Sequence, residues 1–248
     1  MLFNGTDRNH ANNESRMRRP FREDEQMVQL WARRMLGLTR LPIFIMHTGN
    51  VDVDAILGTV DDGARRLRLF PVHIIPMSSV GSMIWYYRDM YTKLHAWTLP
   101  CQRVAYLDYD GLPLRSLDGI FAACGEAEFC AVRDRIMPSS VWGVFRTIFN
   151  AGVLVLRPSQ AVFEEMLHEA VREGAQYKYA EQGYLNRRFS NWTELPRGYN
   201  IPYHAIRRWP KDPEAVAEVQ SQSSFFYHDK LWRMPPDLVD MVLNGSLT

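Results

Sequence analysis

The chain has 248 residues, of which 46 % are hydrophobic and 23 % are charged. These proportions are typical of one globular domain with a substantial buried core. The formal net charge of +1 provides no strong positive field, so we expect no nucleic-acid partner. We also expect no membrane span and no signal peptide, because no apolar run approaches the ~18 residues that a span requires.

The first half of the chain is predicted to pass from a polar arm into alternating helices and strands. Residues 1–22 are polar and without periodicity, which is typical of a loose arm, and we place the domain at 23–248. Acidic residues at its start and apolar residues at helical spacing predict the first helix. The predicted elements are a helix over 22–38, a strand over 41–47, a helix over 53–64 and a strand over 67–75.

The second half continues the same alternation of apolar runs and helical patterns. It is predicted to contain helices over 88–99, 158–173, 181–189 and 236–243, a strand that ends before Asp108, and strands over 129–133, 149–156 and 225–227. Strands that alternate with helices predict an α/β domain, with a mixed and mostly parallel central sheet flanked by helices.

The three cysteines, Cys101, Cys124 and Cys130, have spacings that match no zinc or redox motif. We therefore predict buried or reduced thiols, which favour a reducing compartment and hence a cytoplasmic protein. Four Asn-X-Ser/Thr sequons begin at Asn4, Asn13, Asn191 and Asn244. Because sequons are used only in secreted proteins, these four leave a secretory or Golgi setting open.

Two carboxylates follow the apolar stretch that ends at Leu107. Asp108 and Asp110 lie where ligand sites of α/β proteins form, at the carboxyl end of a strand. Paired carboxylate oxygens are suitable ligands for Mg²⁺ or Mn²⁺ holding a phosphate-bearing substrate. The pair alone is also compatible with a water-facing turn. A metal-dependent phosphoryl transferase or nuclease is a further interpretation, although the additional carboxylates of such sites are absent from the pattern.

Several sequence blocks together resemble a known family. They are 91–99 (Tyr-Thr-Lys-Leu-His-Ala-Trp-Thr-Leu), 103–110 (Arg-Val-Ala-Tyr-Leu-Asp-Tyr-Asp), 117–121, 149–153 (Phe-Asn-Ala-Gly-Val) and 181–186 (Glu-Gln-Gly-Tyr-Leu-Asn). In this order and spacing they resemble the central region of the glycogenin-like glycosyltransferases of family 8. The resemblance extends over about 41–232.

The resemblance implies a single Rossmann-like domain of the GT-A type. It implies transfer of a hexose from a UDP-sugar, with retention of configuration, to an acceptor that the sequence does not identify. It further implies a divalent metal held by Asp108, Asp110 and His228. A histidine ligand favours Mn²⁺ over Mg²⁺. A homodimer is implied by likeness alone.

The resemblance also implies roles in donor binding and catalysis. The residues that it assigns to the donor are Asp108, Tyr109, Asp110, Asn150, Gly152 and Lys230. Those that it assigns to catalysis are Lys93, through a contact with the donor sugar or phosphate, and Glu181 and Gln182, next to the reacting centre. The simpler interpretation of Lys93 is a solvated helical lysine, while Leu94 and Trp97 on the same helix are predicted to lie in the core. A glycine such as Gly152 within a strand can let a ligand approach the backbone.

Three departures from the family pattern favour an alternative, a catalytically silent relative that acts as a binding or scaffold protein. No clear strand precedes the first helix, and residues 1–6 are the only candidate for it. Glu181 is one methylene longer than the aspartate usual at that position. Asp229 alone separates His228 from Lys230, where family members have a glycine-containing spacer.

Overall fold

A computed structural model describes residues 2–3, 21–48, 58, 60, 66–77, 85–134, 147–173, 176–177, 179–202, 211–228 and 236–244. The helices are α1 (Phe21–Leu38), α2 (Trp85–Thr98, of 3₁₀ geometry), α3 (Ile120–Cys124), α4 (Gln160–Glu173), α5 (Ala180–Arg188), α6 (Pro213–Gln220) and α7 (Pro236–Leu243). The strands are β1 (Leu2–Phe3), β2 (Ile43–Thr48), β3 (Leu67–Val72), β4 (Val104–Leu107), β5 (Leu112–Pro113), β6 (Phe129–Arg133), β7 (Phe149–Leu156), β8 (Thr193–Glu194), β9 (Ile201–Pro202) and β10 (Phe226–His228). Within these ranges no helix combines the length and the apolar character that crossing a bilayer requires.

The strands form sheets that mix parallel and antiparallel pairs. The first sheet has the order β1-β2-β3 and is parallel throughout. In the second, β10 lies between antiparallel β5 and parallel β9. In the third, of order β4-β7-β6-β8, β7 is antiparallel to both neighbours, and β8 is parallel to β6.

The predicted α/β class with mixed sheets is therefore confirmed, with one difference in arrangement. The described strands are divided among three hydrogen-bonded sheets, whereas the sequence predicted one central sheet. One of these sheets forms because β5, which follows the turn at Asp110 and Gly111, pairs with β10.

Strand β7 is the centre of the core and is buried along nearly its whole length. Val153 and Val155 pack into one apolar cluster, which includes residues of α1 and α3. Leu154 and Leu156 pack into a second cluster on the other face, which includes residues of α2, α4 and α5. A strand covered on both faces has a continuous apolar sequence, which explains why the bounds of this strand are correctly predicted.

Three nearly parallel aromatic rings join α2, β6 and the residue after α5. Phe129 stacks on Phe189 with ring centroids 4.2 Å apart. Trp97 lies 5.6 Å from Phe189 and 6.1 Å from Phe129, again in stacked orientation. Trp97 is 2 % exposed and Leu94 is fully buried, so the prediction that both belong to the core is confirmed.

Most predicted elements agree with the structure to within a few residues. The exceptions in extent are β3, which ends at Val72 rather than at 75, and α2, which begins three residues earlier than predicted. The helix predicted over 53–64 falls almost wholly outside the described residues, as does most of the arm over 1–22. Leu2 and Phe3 form β1, which lies parallel to β2 with Leu2 opposite Met46.

The prediction of reduced thiols is wrong for two of the three cysteines. Cys124, the last residue of α3, and Cys130 in β6 form a disulfide with a Cα–Cα distance of 5.9 Å, within the usual range. A short turn folds α3 back against β6, and this proximity is not visible in the sequence spacing. Cys101 is a free thiol.

Replacement of Trp97 tests the importance of the aromatic stack. We expect Trp97→Ala to lower the free energy of unfolding by about 3–5 kcal/mol, because a large buried ring is removed and a cavity remains. The measurement is equilibrium urea denaturation. Val171→Ala is the matched control, since Val171 is 66 % exposed on α4 and its truncation should change stability by less than about 0.5 kcal/mol. Equal effects of both changes would contradict the role assigned to the stack.

Candidate active site

Two segments that are distant in sequence bring acidic residues and a histidine to one place. Asp108 directly follows β4, and Asp110 lies in the turn that leads to β5. His228 is the last residue of β10, whose antiparallel register with β5 puts Tyr227 opposite Leu112. Because of this register, His228 lies beside the turn that contains Asp110.

The three side chains are spaced as ligands of one cation. One ligand atom from each of Asp108, Asp110 and His228 lies within 4.8 Å of the others. Nε2 of His228 is 3.6 Å from Oδ2 of Asp108 and 3.7 Å from Oδ1 of Asp110. Two atoms that each bind a metal at about 2.1 Å lie at most about 4.2 Å apart, so the two distances from Nε2 of His228 are short enough for a shared ion. The residues therefore fit a divalent cation of the predicted kind.

Gly152 of β7 provides the space in which the His228 ring lies. A β-carbon placed at Gly152 would be 1.9 Å from Cε1 of His228 and 2.4 Å from its Nδ1. No real side chain tolerates such distances, so any larger residue would displace the imidazole. A glycine within a strand predicts a close approach by a ligand, and in the structure the group that approaches Gly152 is the imidazole of His228.

Lys93 of α2 is buried among oxygen atoms. Its Nζ is 2.8 Å from Oε1 of Glu181, 3.3 Å from Oδ1 of Asp108 and 3.2 Å from the carbonyl oxygen of Ala151. An ammonium group has three N–H donors, and each of them has a partner here. The interpretation of Lys93 as a solvated helical lysine is wrong, since the residue is only 5 % exposed.

The charges of this cluster are coupled. Burial opposes the charge of Lys93, but the carboxylates of Asp108 and Glu181 outweigh burial and raise the pKa of the ammonium. Burial raises the pKa of Glu181, and Lys93 partly counteracts this shift. Oε2 of Glu181 is buried and has no hydrogen-bond partner among the described residues. An unpaired buried carboxylate oxygen is costly, so this atom is suited to accept a hydrogen bond from a ligand.

Tyr106 supports Asp108 from within β4. Its hydroxyl donates to Oδ1 of Asp108 at 2.8 Å, and Nζ of Lys93 lies 5.3 Å from the centroid of its ring. Burial and the neighbouring carboxylates, Asp108 first among them, raise the pKa of the phenol well above its usual value. Tyr106 is therefore a neutral donor that fixes the orientation of the Asp108 carboxylate.

Amide side chains of α5 attach this helix to β7. Oε1 of Gln182 accepts from the backbone N–H of Ala151 at 3.0 Å, and its Nε2 donates to Oδ2 of Asp134 at 3.0 Å. One turn later, Asn186 accepts from the N–H of Phe149 and donates to its carbonyl, each at 2.9 Å. The structure thus places Gln182, predicted as catalytic, between the strand backbone and Asp134.

Asp134 is a site residue that was not predicted from the sequence. Asp134 follows β6 directly, and an acidic residue after a buried strand is the same signal that identifies Asp108. Asn150 is held from two sides, because its Oδ1 accepts from the N–H of Gly152 at 2.9 Å and from Nδ2 of Asn200 at 3.0 Å. The Nδ2 group of Asn150 has no partner among the described residues and remains for a ligand.

Tyr109 and Lys230 are the remaining predicted donor residues. Tyr109 is partly buried and packs against the cluster of α1 and α3 and against a third apolar cluster around β5, β9 and β10. Lys230 lies outside the described residues, so its contact with phosphate stays a prediction.

Curated relatives of the chain carry glycosyltransferase names. Glycogenin-1 of Caenorhabditis elegans is 35 % identical over 114 residues, or 46 % of this chain and 24 % of the relative. Glycogenin-1 of Mus musculus is 31 % identical over 148 residues, or 57 % of this chain and 41 % of the relative. UDP-glucuronate:xylan alpha-glucuronosyltransferase 1 of Arabidopsis thaliana is 32 % identical over 116 residues, or 46 % of this chain and 15 % of the relative. The chain thus spans less than half the length of these relatives. No protein-family model matches it.

Solved structures confirm the predicted fold. The galactosyltransferase LgtC, crystallised with donor and acceptor sugar analogues, superposes with a TM-score of 0.62 at 16 % identity, covering 91 % of this chain and 93 % of that one. The glycosyltransferase GlyE of Streptococcus pneumoniae superposes with a TM-score of 0.59 at 16 % identity, covering 89 % of this chain and 60 % of that one. These identities are informative about fold alone, and the fold is of the GT-A type.

Substitution of Gly152 tests whether the glycine positions His228. We expect Gly152→Ala to weaken Mn²⁺ binding about 10–100-fold, the effect usual when a group that orients a metal ligand is lost, because the β-carbon would displace the imidazole. Titration calorimetry with MnCl₂ is the measurement.

The matched control is Gly37→Ala in α1, where an added β-carbon meets no atom within 4 Å. This variant should bind Mn²⁺ as the parent chain does. Unchanged affinity in Gly152→Ala, with the fold intact by circular dichroism, would contradict the positioning role.

Proposed function

Because the chain is related to the glycogenin-like glycosyltransferases and has a GT-A fold, we propose that it is a metal-dependent retaining glycosyltransferase. In this proposal it transfers a hexose from a UDP-sugar to a protein, glycan or lipid acceptor. The observation that carries the proposal is the grouping of Asp108, Asp110 and His228 within 4.8 Å, next to the buried pair Lys93–Glu181. The homodimer implied by likeness stays a prediction.

The ligand set supports a divalent metal, and its histidine favours Mn²⁺ over Mg²⁺. When bound, such an ion would take up negative charge of the departing diphosphate. Asp108 and Asp110 would contribute oxygen ligands, and His228 a nitrogen ligand. Tyr106 supports this assignment, because its hydrogen bond leaves Oδ2 of Asp108 to face Nε2 of His228.

Glu181 is the residue that we assign to the donor sugar. Its Oε1 is fixed by Lys93 at 2.8 Å, whereas its Oε2 has no hydrogen-bond partner among the residues described. A carboxylate with one oxygen fixed and one available can accept a sugar hydroxyl. It can also stabilise the positive charge that develops at the anomeric carbon as the leaving group departs. The additional methylene of Glu181 relative to aspartate is compatible with this role because the ion pair determines where the carboxylate lies.

The contacts of Lys93 change its proposed role. The resemblance implies a direct contact with the donor sugar or phosphate, but all three ammonium donors already have partners. We propose that Lys93 positions the carboxylates of Asp108 and Glu181 and offsets their mutual repulsion. Donor contacts are then left to the Nδ2 group of Asn150 and to Lys230.

Ligand-induced stabilisation tests the nucleotide and metal site. We expect Mn²⁺ and UDP together, at about 100 times the dissociation constant, to raise the melting temperature by about 5–10 °C. Asp110→Ala should abolish this rise, because a metal ligand is removed. Asp240→Ala is the control, since this exposed aspartate lies on α7, and it should retain the full rise. No shift with any nucleoside diphosphate would refute nucleotide-sugar binding.

Turnover separates the enzyme from the silent alternative. We expect the parent chain with Mn²⁺ to hydrolyse or transfer sugar from at least one UDP-sugar, measured as released UDP. A silent binding or scaffold protein would show the thermal shift without releasing UDP. The longer Glu181 is the observation that most favours this alternative, because a displacement of about 1 Å at a reacting centre can reduce the rate ~10²-fold.

A double-mutant comparison tests the positioning role of Lys93. We expect Lys93→Met to lower the free energy of unfolding by about 3–5 kcal/mol, because the buried carboxylate of Glu181 loses its counter-charge. Adding Glu181→Leu should recover much of this loss, since an apolar pair can replace a buried ion pair, but UDP release should remain absent. Urea denaturation and the turnover assay provide the two readouts. A double variant that is as unstable as Lys93→Met would contradict the proposed coupling.

A further inference from the structure

We propose that Asn191 carries an N-linked glycan and that the chain matures in an oxidising, lumenal compartment, where Cys124 and Cys130 are joined. This proposal does not depend on the proposed function. It rests on the geometry of the sequon Asn191-Trp192-Thr193 and on the disulfide, two features that the site described above does not use.

The sequon begins in the bend after α5 and ends at the first residue of β8, with its two functional residues on the surface. Asn191 and Thr193 are exposed, and neither side chain has a partner among the residues that the structure describes. Trp192 is oriented inward, and its ring meets Phe149 edge-on with centroids 5.4 Å apart. The packed tryptophan therefore fixes a segment in which the carboxamide and the hydroxyl both face solvent, as glycosylated surface loops require.

The position of the sequon in the sheet keeps a glycan away from the candidate active site. Strand β8 is parallel to β6, and Thr193 is opposite Cys130 near the start of β6. Asp134, which contacts Gln182, follows the opposite end of β6. A glycan at Asn191 would therefore project from the end of the sheet that is remote from the carboxylates. It would also cover β8, which is the edge strand among the described strands of its sheet, and edge strands present backbone groups that can pair with other chains.

The disulfide is an independent indication of the same compartment. Cys124 is 3 % exposed and Cys130 is fully buried, so the bond is formed inside the apolar cluster of α1 and α3. Disulfides form and persist in the secretory pathway and are rare in the reducing cytosol. N-linked glycans are added in the same pathway. The expectation of a cytoplasmic protein depends on reduced thiols, whereas Cys124 and Cys130 are joined in a disulfide.

Both modifications are ordinary reactions of that compartment. In the first, Nδ2 of Asn191 bonds to the anomeric carbon of a lipid-diphosphate-linked oligosaccharide, the lipid diphosphate leaves, and the carboxamide gives up one proton. In the second, the thiols of Cys124 and Cys130 together lose two protons and two electrons to a disulfide-bonded oxidant, which is reduced to two thiols.

The experiment uses the native protein from its own cells. Free thiols are alkylated with N-ethylmaleimide before lysis, and N-glycans are then removed by an amidase in ¹⁸O-water. Peptide mass spectrometry should find ¹⁸O-aspartate at position 191, a Cys124–Cys130 link and the alkyl group on Cys101 alone. An unmodified Asn191, a glycan confined to other sequons, or alkylated Cys124 or Cys130 would each overturn the proposal.

Two variants at one position exclude non-enzymatic deamidation as the origin of the aspartate. In Thr193→Ala the sequon is destroyed, and the mass of one glycan should be lost completely. In Thr193→Ser the sequon is kept, and the glycan should remain. If the glycan remained in Thr193→Ala as well as in Thr193→Ser, the assignment would be overturned. Because neither change touches the candidate active site, both variants should retain the parent chain's response to Mn²⁺ and UDP, so the two proposals can fail separately.

Discussion

The buried ammonium group of Lys93 is the interaction on which the candidate active site depends. The carboxylate of Glu181 is buried and that of Asp108 is partly exposed, and without a cation between them their negative charges would repel each other. Lys93 contacts both and also binds the carbonyl oxygen of Ala151. One cation thus joins α2, the turn after β4, α5 and β7. Because burial of an ion pair costs desolvation free energy, the contact between Lys93 and Glu181 need not add net stability.

The candidate active site also depends on the hydrogen bonds that the backbone of β7 makes with residues around it. Its carbonyls and N–H groups around Gly152 bind Lys93, Gln182 and the backbone of Asp108. The pairing of β6 with β7 is irregular between Ala131 and Val132, and such irregularities are frequent next to active sites. The strand therefore contributes backbone atoms more than side chains, and it determines the distances between the charged groups on the helices and turns around it.

Much of the fold follows from the sequence, because buried strands and amphipathic helices have periodic apolar patterns. Asp108 and Asp110 are identifiable for the same reason, as carboxylates that end an apolar run. The role of Gly152 is not identifiable, because it depends on a ring contributed by His228 from the far end of the chain. The burial of Lys93 and the pairing of Cys124 with Cys130 also depend on tertiary packing, which local spacing does not encode.

The short pairing of β5 with β10 has a consequence for how folding and ion binding are connected. Side chains alternate between the two faces of a strand, so a slip of one residue in this ladder would turn His228 to the opposite face. The ladder has only two registered residue pairs, and Arg34 supports it from α1 through the carbonyls of Pro113 and Leu114. A cation bound by residues from both halves of the chain would stabilise this register. Ion binding would therefore couple the folding of the C-terminal segment to the folding of the central sheet.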